Sequence, residues 1–167
     1  QEITLAEGLR DRGYAAGIFG KWHLGNPNEG NSMAREALPL AHGFESWVGT
    51  NVSHDYADAK LITSDSQGKT PIEGYRELAV NLPADRGASK SLTARYAREA
   101  VKFMEKNHKR PFFAYVAHNQ RHLGLFVGDA FEGTSRRGLL GDVMAELDSS
   151  VGEILKTIEK QGIASNT

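Results

Sequence analysis

Lysine and histidine side chains occur at two places in the sequence where an apolar run is about to end. Lys21 and His23 lie in GKWHLG, directly after YAAGIF, and His118 and His122 follow FFAYVA. A lysine ammonium offers a compact positive charge with several donors, and an imidazole donates a hydrogen bond or transfers a proton near neutral pH. If these side chains meet, they suit a small tetrahedral anion such as a phosphate or sulfate ester.

Two units of helix followed by strand are expected to position these side chains. Thr4 and Glu7 have the spacing of a capping box, which predicts a helix over residues 4–12 with Gly13 at its end. The run over residues 14–19 then predicts a short buried strand. The connection between this helix and this strand is therefore very tight.

The second unit lies further along the chain. Apolar residues at helical spacing after Ser91 predict a helix that closes before Pro111, and the run over residues 112–117 predicts another buried strand. A third helix is expected from near Arg137 to Gly162. Its predicted apolar stripe consists of Leu140, Val143, Met144, Leu147, Val151, Ile154, Leu155 and Ile158.

Helices that alternate with buried strands predict an α/β fold with a mainly parallel sheet flanked by helices. Ligands of such sheets bind at the carboxyl ends of the strands. Lys21 and His23 follow one predicted strand, and His118 and His122 follow the other. We therefore expect two separate strands to bring lysine and histidine side chains to the same rim.

The segment between the two units is expected to consist of long loops. Residues 25–90 are rich in Asn, Asp, Ser, Gly and Pro, and only residues 43–49 and 59–63 suggest short ordered pieces. Loops of this length in a compact domain usually shape a binding site or are mobile. The segment HDY, residues 54–56, is compatible with a pocket lining and equally with ordinary loop chemistry.

The overall composition bounds the class of protein. The 167 residues fit one domain, and 40% hydrophobic with 25% charged residues is typical of a folded soluble chain. A formal net charge of -1 without a basic stripe argues against a nucleic-acid partner. No apolar run approaches the roughly 20 residues of a membrane span. The chain has no cysteine, which excludes disulfides, thiolate metal sites and a thiol nucleophile within it.

From spacing alone, a simpler interpretation of the first motif stands beside the functional one. Lys21 would be a surface charge and His23 a loop histidine with its hydrogen bonds satisfied. In either case Gly20 and Gly25 allow sharp turns and a close approach of the backbone to a ligand. Trp22 is expected to pack the turn against the core.

The histidine pair of the second motif raises the possibility of zinc. His118 and His122 have the i, i+4 spacing of zinc ligands on a helix, but Asn119 stands where a zinc protease has glutamate, and the pair follows a strand. A zinc site is therefore disfavoured, and His118 is interpreted as structural. We interpret His42 and His108 as ordinary surface residues.

Several segments of the sequence resemble the sulfatase family. The resemblance covers nearly the whole chain and is weakest in residues 50–90. In that family a strand ending in G-K-W-H-L-G is a highly specific signature. The resembling segments are TLAEGLRDRGYAAGIFGKWHLG (4–25), HGFESWVG (42–49), RPFFAYVAHNQRHLGLF (110–126) and SRRGLLGDVMAELDSSVGEILKTIEKQGIASNT (135–167).

The resemblance implies a fold, a reaction and roles for three residues. It implies an alkaline phosphatase-like fold that hydrolyses sulfate esters with a formylglycine nucleophile and calcium. Lys21 matches the lysine that touches the sulfate, and His23 matches the histidine that contacts the formylglycine hydroxyl and helps break down the sulfated intermediate. His122 matches the histidine near the sulfate and the leaving-group oxygen. The x-Pro that usually follows is replaced by Leu123-Gly124.

The family's nucleophile and metal motifs are not found in this sequence. No proline has Ser or Cys two residues before it, and no adjacent Asp-Asp occurs. We therefore expect residues 1–167 to be an internal part of a single sulfatase catalytic domain, incomplete as a fold, with no metal ligands. The isolated chain is expected to be inactive. The resemblance further implies a sulfated small molecule or glycan as substrate and an exported protein.

Two other functions remain open from the sequence. Phosphate and sulfate have nearly the same shape, so a phosphomonoester or phosphonate hydrolase of the same superfold would present similar residues. A degenerate, non-catalytic anion-binding module is the third possibility. A C/S-x-P-x-R element upstream in the coding sequence would favour an enzyme over such a module.

Overall fold

A five-stranded sheet forms the centre of the computed structural model, which describes residues 2–24, 35–64 and 74–167. β1 is parallel to both β2 and β5, whereas β3 is antiparallel to β2 and to β4. Four of these five strands therefore run in one direction, and the predicted mainly parallel sheet is confirmed. In chain order the strands are β1 (Ala15–Gly20), β2 (Ser46–Thr50), β3 (Lys60–Ser64), β4 (Tyr75–Val80) and β5 (Phe112–Ala117). Across the sheet they lie in the order β4-β3-β2-β1-β5.

Four α-helices accompany the sheet in the described part of the chain. They are α1 (Leu5–Arg10), α2 (Arg86–Lys90), α3 (Leu92–Asn107) and α4 (Gly138–Lys160). Short 3-10 turns occur at Arg35–Ala37, Pro39–His42 and Ala164–Asn166. Within the described ranges, every helix is too short or too polar to cross a lipid bilayer.

The predicted capping box starts α1. The Thr4 hydroxyl accepts a hydrogen bond from the Glu7 amide at 3.1 Å, and the Glu7 carboxylate accepts one from the Thr4 amide at 2.8 Å. These bonds from Thr4 lower the pKa of Glu7. Two otherwise unpaired donors at the helix end are satisfied in this way. Gly13, at φ 83°, follows the helix and lets the chain turn into β1.

The alternation of side chains along β1 divides the core into two layers. Ala15 and Phe19 belong to a cluster on one face of the sheet, and Ala16 and Ile18 belong to a cluster on the other. α3 covers the first face, whereas α1 and residues 38–44 cover the second. A strand buried on both faces reads as a continuous apolar run, as predicted for residues 14–19.

The expectation of long loops between residues 25 and 90 is wrong for the described part of that segment. β2 and β3 correspond to the two predicted ordered pieces, but β4 has no counterpart in the prediction. Its sequence YRELAV carries charges in the middle, because β4 lies at the edge of the sheet and is largely exposed. The prediction for Gly25 lies outside the described residues.

Two predictions of burial need correction. β5 is a strand as predicted, but it lies at the other edge of this sheet and is only partly buried, with Tyr115 49% exposed. In α4, Val143 is buried as expected. Four members of the predicted stripe are instead strongly exposed, namely Leu140, Met144, Val151 and Leu155.

Polar residues of α4 face inward because they bind neighbouring loops. Asp142 accepts hydrogen bonds from the backbone amides of Gly133 at 2.9 Å and Ser135 at 2.6 Å, which lower the pKa of its carboxyl group. Glu146 accepts one from the Gly128 amide at 3.3 Å, and its pKa is raised by burial. Hydrogen bonds to the preceding loop therefore help to fix the rotation of this helix.

Gly20 is required at the end of β1 because the backbone of β5 comes too close for a side chain. A Cβ added to Gly20 would lie 1.9 Å from the Ala117 carbonyl oxygen, and φ is 136°. Such a separation is far below van der Waals contact, so the two strands would have to move apart. The residue directly before the lysine-histidine motif thus fixes the spacing of β1 and β5.

We expect Gly20→Ala to lower the thermal unfolding midpoint strongly or to prevent folding, since the clash involves backbone atoms. Gly8→Ala is the matched control, because Gly8 lies in α1 and an added Cβ would meet nothing within 4 Å. Alanine is favoured over glycine in a helix by roughly 0.5–1 kcal/mol, so this control should be neutral or stabilising. Equal unfolding midpoints for the two variants in differential scanning fluorimetry would contradict the close packing at Gly20.

Candidate functional site

The carboxyl ends of β1 and β5 lie side by side, with Gly20 opposite Ala117. The chain leaving β1 remains bonded to both neighbouring strand ends, so its position is fixed by backbone contacts rather than by side chains alone. These hydrogen bonds run from the Lys21 amide to Ala117 O at 2.7 Å, from the Trp22 amide to Thr50 O at 2.9 Å and from the His23 amide to Asn51 O at 2.9 Å.

Trp22 anchors the turn that carries Lys21 and His23. Its indole Nε1 donates to the Ala37 carbonyl at 2.7 Å, and its ring contacts the rings of His42 and Phe44 at 5.9 and 6.2 Å between centroids. The predicted packing of Trp22 against the core is confirmed. His42, interpreted as a surface residue, is partly exposed and covers the tryptophan ring.

His23 lies close enough to the other predicted site residues for their charges to act on it. Burial lowers the pKa of His23, Lys21 and His122 lower it further, and Asp55 opposes them. Its backbone has φ 51°, which is uncommon for a residue with a side chain. The imidazole ring meets the edge of the Tyr56 ring at 5.4 Å between centroids. His23 is therefore held in place on both its backbone and its ring.

His122 presents one ring nitrogen to oxygen atoms of the protein. Around its Nδ1 lie the Leu123 carbonyl oxygen at 3.3 Å, the Ser53 hydroxyl at 3.4 Å and an Asp55 carboxylate oxygen at 3.6 Å. Such acceptors favour a proton on Nδ1, which leaves Nε2 as the nitrogen for a ligand. The side chain is 44% exposed, so a ligand can reach it.

The segment 53–56 forms a third part of the site, although the sequence left its role open. Ser53 and Asp55 approach His122, and Tyr56 contacts His23. A hydrogen bond from Ser53 is the main cause that lowers the pKa of Asp55, so its carboxylate stays ionised among the cationic side chains. The sequence signal for the segment 53–56 is the cluster of polar residues in SHDY after a strand. That signal cannot be distinguished from an ordinary loop without the fold.

His118 does not join the site, in agreement with the structural role predicted for it. Its Nε2 lies 2.9 Å from the Ser150 hydroxyl of α4, and its ring contacts Tyr96 of α3 at 5.9 Å between centroids. Burial lowers the pKa of His118 to about 4, so it is neutral at physiological pH. His122, by contrast, turns to the segment 53–55.

Asn119 ties the end of β5 to the core below the site. Its side-chain oxygen accepts from the Tyr96 hydroxyl at 2.8 Å, and its amide nitrogen donates to the Thr50 hydroxyl at 3.0 Å. Asn119 is 5% exposed, and burial raises the pKa of Tyr96. Each polar group of this buried set has a partner, as a stable interior requires.

The described residues do not fit a metal ion. Among residues 2–24, 35–64 and 74–167, no group of three or more His, Cys, Asp or Glu side chains is placed to hold one. Two cavities, of about 340 and 270 Å³, lie elsewhere, and neither is lined by Lys21, His23 or His122. The larger one opens beside His108, and the smaller one lies between α3 and α4.

Sequence comparison relates the chain to sulfatases. A family model described as Sulfatase matches residues 1–167. An arylsulfatase of Hemicentrotus pulcherrimus is 38% identical, with 99% of this chain and 30% of the relative covered. Bovine (Bos taurus) arylsulfatase A is 37% identical, covering 99% and 34%, and human (Homo sapiens) N-acetylgalactosamine-6-sulfatase is 32% identical, covering 99% and 31%. The chain spans about a third of the length of these relatives.

Structural comparison gives the same relationship for the fold. The crystal structure of PsFucS1 sulfatase from Pseudoalteromonas sp. matches with a TM-score of 0.80 at 21% identity, covering 99% of this chain and 36% of that one. The crystal structure of Ps i-CgsB in complex with k-i-k-neocarrahexaose matches with a TM-score of 0.64 at 22% identity, covering 97% and 37%. These matches confirm the predicted alkaline phosphatase-like fold class.

His118 predicts a loss of stability in acid. Because its pKa is about 4 in the folded protein and 6.5 unperturbed, the unfolded chain binds a proton first as the pH falls. The stability contributed by the neutral ring is complete above pH 6.5 and is lost as the pH falls towards 4. His118→Gln should therefore flatten the decline of the unfolding midpoint over this range in fluorimetry. A decline as steep as that of the wild type would contradict the burial of His118.

Proposed function

The chain belongs to the sulfatase family, and we propose that it forms an internal part of a catalytic domain that hydrolyses sulfate monoesters. One observation supports the proposal: Lys21 and His23 directly follow β1, and His122 follows the neighbouring parallel strand β5, so all three residues lie at the carboxyl edge of the sheet. Ligands of parallel sheets bind at this edge.

The chemistry of the three side chains suits a sulfate group. The ammonium of Lys21 supplies a positive charge for the non-bridging oxygens, which gain charge as the ester bond breaks. Nε2 of His122 is the nitrogen available near the leaving-group oxygen. His23, whose pKa is lowered, is neutral near pH 7 and would be able to accept a proton from a hydroxyl group beside the sulfate.

The nucleophile and the metal would come from other parts of the polypeptide. The chain has no cysteine and no C/S-x-P-x-R motif, and its described residues hold no metal cluster. We propose that formylglycine and calcium act in the intact enzyme through residues outside this chain. The 167 residues alone would then show negligible turnover, because Lys21, His23 and His122 can bind an anion but cannot attack it.

The names of the relatives suggest the class of substrate. They include arylsulfatases and N-acetylgalactosamine-6-sulfatases, so we propose a sulfated small molecule or glycan. The resemblance also supports an exported protein. A phosphomonoester or phosphonate hydrolase and a non-catalytic anion-binding module are the alternatives that the following experiment separates.

We expect the complete protein to hydrolyse 4-nitrophenyl sulfate in preference to 4-nitrophenyl phosphate. Lys21→Ala and His122→Ala should each lower kcat/KM by about 10²-fold or more, the typical effect of removing one group that stabilises the transition state. Lys109→Ala is the matched control, because Lys109 is an exposed lysine at the far end of β5. Preference for the phosphate would indicate the phosphoester alternative, and no turnover of either ester would favour the non-catalytic module.

Anion binding should be linked to protonation of His23. Since the lowered pKa of His23 reflects burial and cationic neighbours, a bound dianion would raise that pKa and cause proton uptake. Sulfate should therefore bind more tightly as the pH falls from about 8 towards 5.

Calorimetry of inorganic sulfate binding, in buffers of different ionisation enthalpy, measures this uptake directly. His23→Gln should reduce it, whereas the control His118→Gln should not, because the pKa of about 4 keeps His118 neutral over this range. Equal proton uptake by wild type and His23→Gln would exclude His23 from the linkage.

A further inference from the structure

A histidine outside the predicted set connects two segments of the site. His54 is 0% exposed, and its Nε2 lies 2.8 Å from the Gly124 carbonyl oxygen. We propose that His54 is a positioning residue for His122, which clamps the turn after β5 so that Nε2 of His122 faces the ligand. This inference rests on the proposed function of His122, but the clamp itself is a structural statement that can be tested separately.

The hydrogen bond to Gly124 fixes the tautomer of the His54 ring. A carbonyl oxygen can only accept, so Nε2 must carry the proton. Nδ1 is buried and has no hydrogen-bond partner in the described part of the chain. Burial lowers the pKa of His54, with Lys21 and His122 acting in the same direction and Asp55 and the Gly124 bond against it. His54 is therefore a neutral donor rather than a proton-transfer group.

The turn that His54 holds needs an anchor. Gly124 has φ 79°, and a glycine loses more conformational freedom on ordering than any other residue. Its carbonyl is fixed by His54, and the Phe126 carbonyl accepts from the Gln120 side chain at 2.9 Å. His122 lies within the loop that the bond between Gln120 and Phe126 closes, and His54 holds this loop at Gly124.

The ring of His54 also contacts the side chain that it positions. Its centroid lies 6.1 Å from that of His122, with the planes at 81°, and 5.9 Å from that of Phe126. The residues on either side of His54 continue the same surface, since the Ser53 hydroxyl and an Asp55 carboxylate oxygen both approach Nδ1 of His122. One short segment therefore sets both the backbone and the ring orientation of His122.

Two substitutions separate the hydrogen bond from simple packing. His54→Leu fills a similar volume with an apolar side chain and removes the hydrogen bond from Nε2 to Gly124. It also removes Nδ1, the buried nitrogen that has no partner. His54→Gln places an amide NH₂ near the position of Nε2. In the complete protein we expect His54→Leu to lower kcat/KM for 4-nitrophenyl sulfate about ten- to hundredfold, the usual effect of removing a residue that orients a functional group. His54→Gln should keep kcat/KM within about threefold of the wild-type value.

A double-mutant cycle with His122→Ala tests whether His54 acts through His122. If it does, His54→Leu should change kcat/KM by less than about threefold in the His122→Ala background. The matched control is His118→Leu, which removes the buried histidine that pairs with Ser150. Its effect on kcat/KM should be the same in the wild-type and His122→Ala backgrounds. Equal effects of His54→Leu in both backgrounds, or full activity of His54→Leu, would overturn the inference.

Imidazole ¹⁵N spectra of the complete protein give a readout that does not require turnover. Near pH 7 we expect a protonated Nε2 and a bare Nδ1 for His54. His54→Leu should shift the His122 signals, and His54→Gln should leave them near their wild-type positions. If the wild type hydrolyses no sulfate ester, the proposed function fails, and unchanged His122 signals in His54→Leu would separately refute the clamp.

Discussion

The parallel pairing of β1 with both of its neighbours is the constraint on which the site depends. Parallel strands that pair in register end at the same edge, and Gly20 opposite Ala117 brings the two exits into contact. The absence of a side chain at Gly20 permits this contact, since an added Cβ would lie 1.9 Å from the Ala117 oxygen. The chain segments that carry Lys21 and His122 therefore leave the sheet side by side.

The charge distribution limits the electrostatic repulsion within this cluster. Burial and cationic neighbours lower the pKa values of His23 and His54, so both rings are neutral at physiological pH. The ionised Asp55 offsets part of the remaining positive charge, and its own pKa is lowered mainly by Ser53. A desolvated group of like charges would be costly, and the protein avoids this cost by keeping two histidines neutral.

The parts of the molecule that depend on local pattern could be predicted from sequence. The capping box at Thr4, the buried strand β1 and the helix α3 each follow from residue types a few positions apart. β4 could not be predicted, because an edge strand exposes charges such as Arg76 and Glu77 and lacks an apolar run. Lys21, His23 and His122 are predicted site residues because each follows a strand and matches the sulfatase resemblance. The roles of His54 and Asp55 stay open in the sequence, since what a loop residue does depends on the residues packed against it.

The rotation of α4 shows how far a sequence pattern can mislead about burial. Its apolar stripe predicts an inward face, yet Leu140, Met144 and Leu155 are exposed. Asp142 and Glu146 are buried instead, and their carboxylates accept hydrogen bonds from residues 128–135. A monomer rarely leaves so many large apolar residues along one helix in water. The relatives are about three times as long as this chain. We propose that further residues of a larger catalytic domain cover this face and the partly exposed strand β5 at the sheet edge.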